Sequence, residues 1–285
     1  MSNELLAQID RVIQKRPLYK EALSTYRELV RLIEDSKPEI AYSTKDEAVT
    51  ETKVEQGFPV FSREDLPLDL KATSSLFPRL FEHLSSQKRE DSRALKNALD
   101  RVQTDPQWIE RVIAAFLSRD ETTFTTMAQE VNLEPMVLRF VTSMALKPSL
   151  NALREAVSER IEKDAWHYGY CPLCGSSPDM ASLDDQGKRI LHCELCGSEW
   201  RYPRLKCPFC ENSEPKELGY FVSEEEAGYR VDFCKKCKVY IKTLDMRVVE
   251  SPAPLELENI ITLHLDILAH DQGFMTCHSR GVELQ

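Results

Sequence analysis

The sequence predicts an α+β protein: an N-terminal helical array, then two small four-cysteine modules on short strands, then a C-terminal helix. Three observations predict this. Apolar residues recur at three-and-four spacing through most of residues 1–165. Eight of the nine cysteines then fall in four C-x-x-C pairs between Cys171 and Cys237. Around those pairs the helical period gives way to short β-type runs and turn residues. The expected divisions are a helical domain at 1–165, the metal modules at 166–250, and a helix with a tail at 251–285.

The helical part reads in order. Leu5, Ile9, Val12 and Ile13 line one face of a first helix; Tyr19, Leu23, Tyr26, Val30 and Ile33 line a second. Residues 36–61 lose periodicity and are rich in Lys, Glu and Thr, which predicts a long loop. The pattern resumes near Leu68 and is punctuated by Pro78. Leu95, Ala98, Leu99 and Val102 share the next face. Asp105-Pro106 is a start signal for a helix carrying Trp108, Ile109, Val112, Ile113 and Phe116. Asp120 caps the one after, with Phe124, Met127, Ala128 and Val131. Pro135 and Pro148 are expected to open two more, the last striped by Leu150, Leu153, Val157 and Ile161.

From Trp166 the strand candidates are Arg189–His192, Glu217–Val222, Tyr229–Phe233 and Val239–Leu244. Ser251-Pro252-Ala253-Pro254 ends this region. A final helix then carries Leu257, Ile261, Leu265 and Leu268 on one side, and the tail from Gly273 shows no pattern.

The four pairs are Cys171/Cys174, Cys193/Cys196, Cys207/Cys210 and Cys234/Cys237. A C-x-x-C turn puts two sulfurs on one side of a tight loop, and two turns complete a tetrahedral cage of four. The expected cofactors are therefore two metal ions, zinc or iron, each held by four cysteines in a zinc-ribbon or rubredoxin-like module. Sequential pairing leaves 18 residues between Cys174 and Cys193 and 23 between Cys210 and Cys234. The first is ordinary ribbon spacing and the second slightly long; cross-braced and nested pairings stay open. Glycine follows Cys174 and Cys196, where it relieves a positive φ, but Glu211 and Lys238 stand at the matching places of the second site. That site is expected to be more strained or to use a different turn. Lys188, Arg189, Lys206, Lys235, Lys236 and Lys238 are placed to offset thiolate charge.

Composition narrows the function classes. The formal net charge is −10 and no basic stripe is visible, which argues against a phosphate-backbone binder. No apolar run approaches the length of a membrane span, and Met1–Arg16 has no signal-peptide core, so a cytoplasmic protein is expected. Clustered C-x-x-C pairs in that setting predict metal rather than disulfides. No phosphate loop and no nucleophile–base pair stands out, so no catalytic residue is assigned.

The residues around the cysteines carry a resemblance. Cys171-Pro-Leu-Cys174-Gly175-Ser-Ser-Pro178, Arg189-Ile-Leu-His-Cys193-Glu-Leu-Cys196-Gly-Ser-Glu-Trp200 and Arg204-Leu-Lys-Cys207-Pro-Phe-Cys210 resemble the formate dehydrogenase accessory protein family, FdhE. So do Tyr229-Arg-Val-Asp-Phe-Cys234-Lys-Lys-Cys237-Lys-Val-Tyr-Ile-Lys242-Thr-Leu-Asp245 and Leu265-Asp266-Ile-Leu-Ala269 with Gly273-Phe274. The resemblance covers roughly residues 133–275. It implies a helical part followed by two rubredoxin-like modules. It also implies a cytoplasmic maturation factor, not an enzyme, that acts on the catalytic subunit of a molybdenum- or tungsten-dependent formate dehydrogenase. The competing class is a rubredoxin-like iron electron carrier or redox sensor.

Other residues carry blander expectations. His167 and His192 are surplus to eight cysteines and read as ordinary polar positions. His264 and His270 read as solvated, Cys277 as a free thiol without a role, and Glu224, Glu225 and Glu226 as a hairpin tip. Trp200 is expected to pack on the metal module or the last helix.

Overall fold

A computed structural model describes residues 2–40, 53–87, 89–157, 166–223 and 226–277. Ile161, Glu224, Glu225 and positions 41–52 of the expected long loop lie outside the described residues. The protein is a mixed helix-and-sheet chain with two compact units: Met1–Ser43 with Arg63–Ala156, and Thr44–Ser62 with Val157–Gln285.

The first unit is helical. Helices α1 (Ser2–Lys15) and α2 (Lys20–Glu34) bury Ile9 and Val12 from one, and Leu23, Tyr26, Leu29, Val30 and Ile33 from the other. Arg27 donates to both carboxylate oxygens of Asp10 at 2.7 and 3.0 Å, tying the pair together. Helix α3 (Leu70–Ser85) is capped by Asp69, which accepts from the Ala72 N–H at 2.9 Å. Helices α4 (Ser92–Thr104), α5 (Pro106–Ser118), α6 (Glu121–Glu130) and α7 (Pro135–Val157) complete the array. Asp120 caps α6 through the Thr123 N–H, whereas the Asp105 carboxylate makes no cap bond and instead takes Arg111 at 2.8 Å.

Two prolines behave differently from the sequence expectation. Pro78 lies inside α3 and Pro148 inside α7, so Pro148 opens no separate helix. An interior proline costs about 3 kcal/mol. Burying Leu76, Phe77, Leu80, Phe81 and Leu84 around Pro78, each worth about 1.5–3 kcal/mol, outweighs it. Leu146, Leu150 and Leu153 do the same around Pro148.

The second unit is built on one six-stranded sheet. Its strands are β1 (Pro178–Leu183), β2 (Arg189–Cys193), β3 (Glu199–Arg201), β4 (Leu218–Val222), β5 (Tyr229–Cys234) and β6 (Tyr240–Asp245). The order is β3-β2-β1-β6-β5-β4. Two antiparallel meanders, β1–β3 and β4–β6, thus stand side by side in the same sense. They are fused where β1 pairs with β6 in parallel, Met180 opposite Lys242. One face of the sheet supplies Met180, Tyr229, Val231, Tyr240 and Leu244 to a core closed by Leu255, Leu265, Ala269 and Phe274. The final helix is two, α8 (Leu255–Ile261) and α9 (Leu263–Asp271), broken at Thr262. Thr262 is buried and turns its hydroxyl back to the Glu258 carbonyl at 2.6 Å. Leu257, Ile261 and Leu265 stay on the buried side, while Leu268 is exposed.

Candidate metal centres

Each meander is framed by two cysteine turns, and all four turns have one geometry. The first cysteine N–H donates to the carbonyl five residues on: Cys171 to Ser176, Cys193 to Ser198, Cys207 to Asn212 and Cys234 to Val239, at 2.8–3.1 Å. The residue after the second cysteine donates back to the first cysteine carbonyl: Gly175, Gly197, Glu211 and Lys238, again at 2.8–3.1 Å. Closing that ring demands a left-handed residue. Gly175 and Gly197 have φ of 68° and 67°; Glu211 and Lys238 are held at 56° and 58°. The second site therefore uses the same turn as the first, and the expectation of a different one does not hold. The strain does: a non-glycine residue there costs about 1–2 kcal/mol.

The turns bring the cysteines together sequentially. Cys171, Cys174, Cys193 and Cys196 form one group and Cys207, Cys210, Cys234 and Cys237 the other, with the sulfurs of each group within 4.8 Å of one another. Sulfur pairs stand 3.5 Å apart for Cys171–Cys196 and Cys174–Cys193, and 3.7 Å for Cys207–Cys237 and Cys210–Cys234. A metal–sulfur bond of about 2.3 Å gives a tetrahedron with edges of about 3.8 Å, so both groups fit a tetrahedral ion. All eight are free thiols in the structure, which leaves them open to a metal.

The electrostatics point the same way. Burial, then the neighbouring Cys174, push the Cys171 thiol far up, and Cys193 is pushed up likewise by burial and by Cys171. Burial also opposes ionisation of Cys174, but hydrogen bonds from Cys171, Cys193 and Cys196 outweigh it and hold its thiol low. In the second group the Cys207 thiol donates to Cys237 and holds it at about 5. In each group one thiol is held low while others are pushed up, Cys171, Cys193 and Cys210 by burial and Cys207 by its hydrogen bond to Cys237 and then burial; a bound cation would supply the charge that ionises them. Backbone N–H groups of Phe209 and Cys210 aim at Cys207, and that of Val239 at Cys237, dispersing thiolate charge.

The surroundings of the two groups differ. The first is sealed, its four cysteines at most 2% exposed. A strap from the expected long loop covers it: Val60 N–H donates to the Pro172 carbonyl at 2.8 Å and Phe61 N–H to Leu173 at 2.9 Å. Tyr170 donates to the Gly57 carbonyl at 2.6 Å, and its ring packs with Trp166 and Tyr168. Trp200 is fully buried and donates to the Tyr168 carbonyl at 3.1 Å. The second group is more open, with Cys210 half-buried and Cys237 9% exposed.

Of the other residues singled out, His192 is buried against Asp179 at 2.7 Å and is no part of either cysteine group. His264 meets Glu226 at 3.2 Å, while His167 and His270 are exposed. Cys277 is buried and outside both groups. Lys235, Lys236 and Lys238 are exposed, Lys206 pairs with Glu211 at 3.3 Å, and Arg189 is buried against Asp232 at 3.2 Å. The sequence reading assigned no role to Asp179, Asp232 and Asp266, although the last two stand in the runs that carry the resemblance. Asp266 accepts from Lys242 and Tyr240, both at 2.7 Å; Asp232 accepts from Thr243 at 2.6 Å; and Asn259 reaches Asp179 at 3.1 Å. Burial lowers the Lys242 pKa, and Asp266 partly restores it. Thus the segment around Tyr240 and Lys242 and the segment around Asp266, far apart in sequence, meet in one polar cluster.

A model of the FdhE central domain matches residues 170–204, which hold the first cysteine group. An FdhE homolog of Aquifex aeolicus is 31% identical over 231 residues, covering 79% of this chain and 74% of that one. An FdhE of Salmonella paratyphi A is 37% identical over 109 residues, 37% of this chain and 34% of that one. The crystal structure of the FdhE protein from Pseudomonas aeruginosa has the same fold, with a TM-score of 0.65 over 96% of this chain and 93% of that one, at 22% identity. With a relative matched along most of both chains, this protein belongs to the FdhE family.

Proposed function

We propose that the protein is a cytoplasmic accessory factor that binds the immature catalytic subunit of a molybdenum- or tungsten-dependent formate dehydrogenase and assists its assembly. The family is the observation that carries this reading, and the chemistry of the site supports it. Cys171, Cys174, Cys193 and Cys196 would hold one metal ion, and Cys207, Cys210, Cys234 and Cys237 a second. Four sulfurs around each ion leave no position for substrate or activated water, which favours a binding role over catalysis. When bound, each ion neutralises its thiolates and locks two turns together; zinc would do only this, and iron would add a one-electron couple. The fixed turns then present contact residues at low entropic cost. No helix among the described residues is long and apolar enough to cross a membrane.

The exposure of Cys210 favours a second reading, an iron site near solvent that carries electrons or senses redox state. Elemental analysis with an absorption spectrum of anaerobically purified protein separates the two: two zinc ions per chain support the accessory reading, and a reversible visible iron band supports the second. The direct test is capture of the formate dehydrogenase catalytic subunit on this protein from native cells. Deleting the gene should lower formate dehydrogenase activity with transcription of the enzyme unchanged. Undiminished activity in a strain with no related gene, together with failed capture, would refute the assignment.

A further inference from the structure

We propose that the outer edge of β4 and the basic cavity beside it form a docking site for an extended, acidic peptide segment of a partner protein. This deepens the accessory reading by naming the surface and the chemistry of what it takes.

The first observation is an unguarded edge. Among the described residues β4 pairs only with β5 and ends the sheet. Edge strands are commonly blunted by charge, proline or a bulge. Leu218–Val222 has none of these, and Tyr220 and Val222 are 62% and 57% exposed. Alternation puts Leu218, Tyr220 and Val222 on one face of the sheet, opposite Cys234, Asp232 and Arg230 of β5.

The second observation lies on that same face. A cavity of about 420 Å³ is bounded by Leu218 and Tyr220 and by the chain from Arg204 to Phe209. Four cations line it, Arg189, Arg204, Lys206 and Arg230, against the single carboxylate of Asp232. Arg189 and Arg230 both lean on that carboxylate at 3.2 Å, and it also takes the Thr243 hydroxyl. Arg189 is 5% exposed, and its Nε has no hydrogen-bond partner among the described residues. Arg204 is exposed. A metal tetrathiolate at Cys207 and Cys234 would balance part of this charge, and Lys206 is already engaged with Glu211. The exposed Arg204, at the rim of the cavity, remains as the donor for an incoming anion, with the buried Arg189 and the largely covered Arg230 behind it.

The occupant follows from these two features together. A strand added to β4 satisfies the edge with backbone hydrogen bonds and turns alternate side chains toward the cavity. One carboxylate there gains charge-assisted bonds to guanidinium, and small apolar neighbours cover Tyr220 and Val222. A polyanion such as nucleic acid fits poorly, because the chain as a whole carries a net charge of −10.

The test uses the metal-loaded full chain and short, labelled, acetylated peptides alternating Thr with Glu, Gln or Lys, read by fluorescence anisotropy. The Glu peptide should bind about tenfold or more tightly than the Gln peptide, and the Lys peptide should not bind. A proline at the centre of the Glu peptide should abolish binding, because it removes a ladder donor. Arg204→Glu, at an exposed position, should weaken the Glu peptide by about tenfold or more with metal content and circular dichroism unchanged. Tyr220→Lys is the second variant, tested with the Gln peptide, whose binding it should reduce. Equal binding of the Glu and Gln peptides, or no effect of either variant, overturns the proposal. Full competition by free glutamate at the peptide's own affinity also overturns it, leaving a small-anion cavity only. Capture of the formate dehydrogenase catalytic subunit separates the two levels. If wild type captures it and the Arg204→Glu/Tyr220→Lys variant captures it equally well, the docking site is wrong and the accessory reading stands. If wild type captures nothing, the accessory reading fails whatever the peptides do.

Discussion

The two cysteine groups share one turn, repeated four times, yet they sit in opposite environments. The first has glycine at both left-handed positions, a strap laid across it and no exposed sulfur. The second keeps Glu211 and Lys238 in the same strained conformation, leaves Cys210 half-buried and borders a charged cavity. The difference teaches that ligand spacing alone does not assign a role. The sealed first group suits an ion that would stay in place and hold its half of the sheet together. The second tolerates strain and partial exposure to solvent.

The sharpest way to break this comparison is to remove each group in turn. Structural thiolate sites bind with about 10–16 kcal/mol in small peptides, most of it folding energy. Cys171→Ser with Cys174→Ser should leave the chain beyond Trp166 open to protease while the helical unit keeps its circular dichroism. Cys234→Ser with Cys237→Ser should cost one metal equivalent and fray β4–β6, with β1–β3 still protected. Identical digestion patterns for the two variants would erase the distinction. A chelator provides a gentler version: one metal equivalent should leave quickly and the other slowly, with the slow one lost from the Cys234→Ser/Cys237→Ser variant unchanged in rate. A single phase in wild type would count against unequal burial.

Lys242→Met asks whether the second meander leans on the helices as well as on its metal. It takes the buried ammonium from Asp266, which keeps the Tyr240 hydroxyl and partial contact with solvent, and should cost about 1–3 kcal/mol by thermal or urea unfolding. The smallest effects concern the turns. Gly175→Ala should cost about 1–2 kcal/mol, because its φ is 68° and the new methyl meets the Pro59 side chain at 3.2 Å. Lys238→Gly should change stability little: relief of about 1–2 kcal/mol is offset by about 0.4–1 kcal/mol of extra unfolded-chain entropy. A large loss from Lys238→Gly would mean the lysine side chain, not the backbone, matters there.

The cysteine groups were legible because spacing, turn glycines and sequential order are local signals. Four strands were legible as β-type runs. Strands β1 and β3 were not: Met180-Ala181-Ser182-Leu183 is buried on both faces and carries no alternation and no β-branched residue, and Glu199–Arg201 is only three residues long. The break at Thr262 hid inside a continuous apolar stripe, and Pro148 read as a start because its neighbours' burial is a property of the whole unit. The strap was invisible for a related reason. Phe58-Pro59-Val60-Phe61 is an apolar run in a polar stretch, but its partners, Pro172 and Leu173, lie more than a hundred positions away. Nothing local announces such a pairing.

The parallel seam between β1 and β6 has a consequence for how the chain is made. Once β3 has left the ribosome the first meander could close around a metal ion at its cysteine group, but β1 would then show a bare edge at Met180–Leu183. Its partner is the last strand of the sheet, about sixty residues later. During that interval the nascent protein carries an edge able to pair with another copy of itself. A chain stopped after Arg204 would hold a complete first cysteine group and still be expected to aggregate. Completion of β6 covers that edge, so slower synthesis across residues 205–245 is expected to lower the yield of soluble protein.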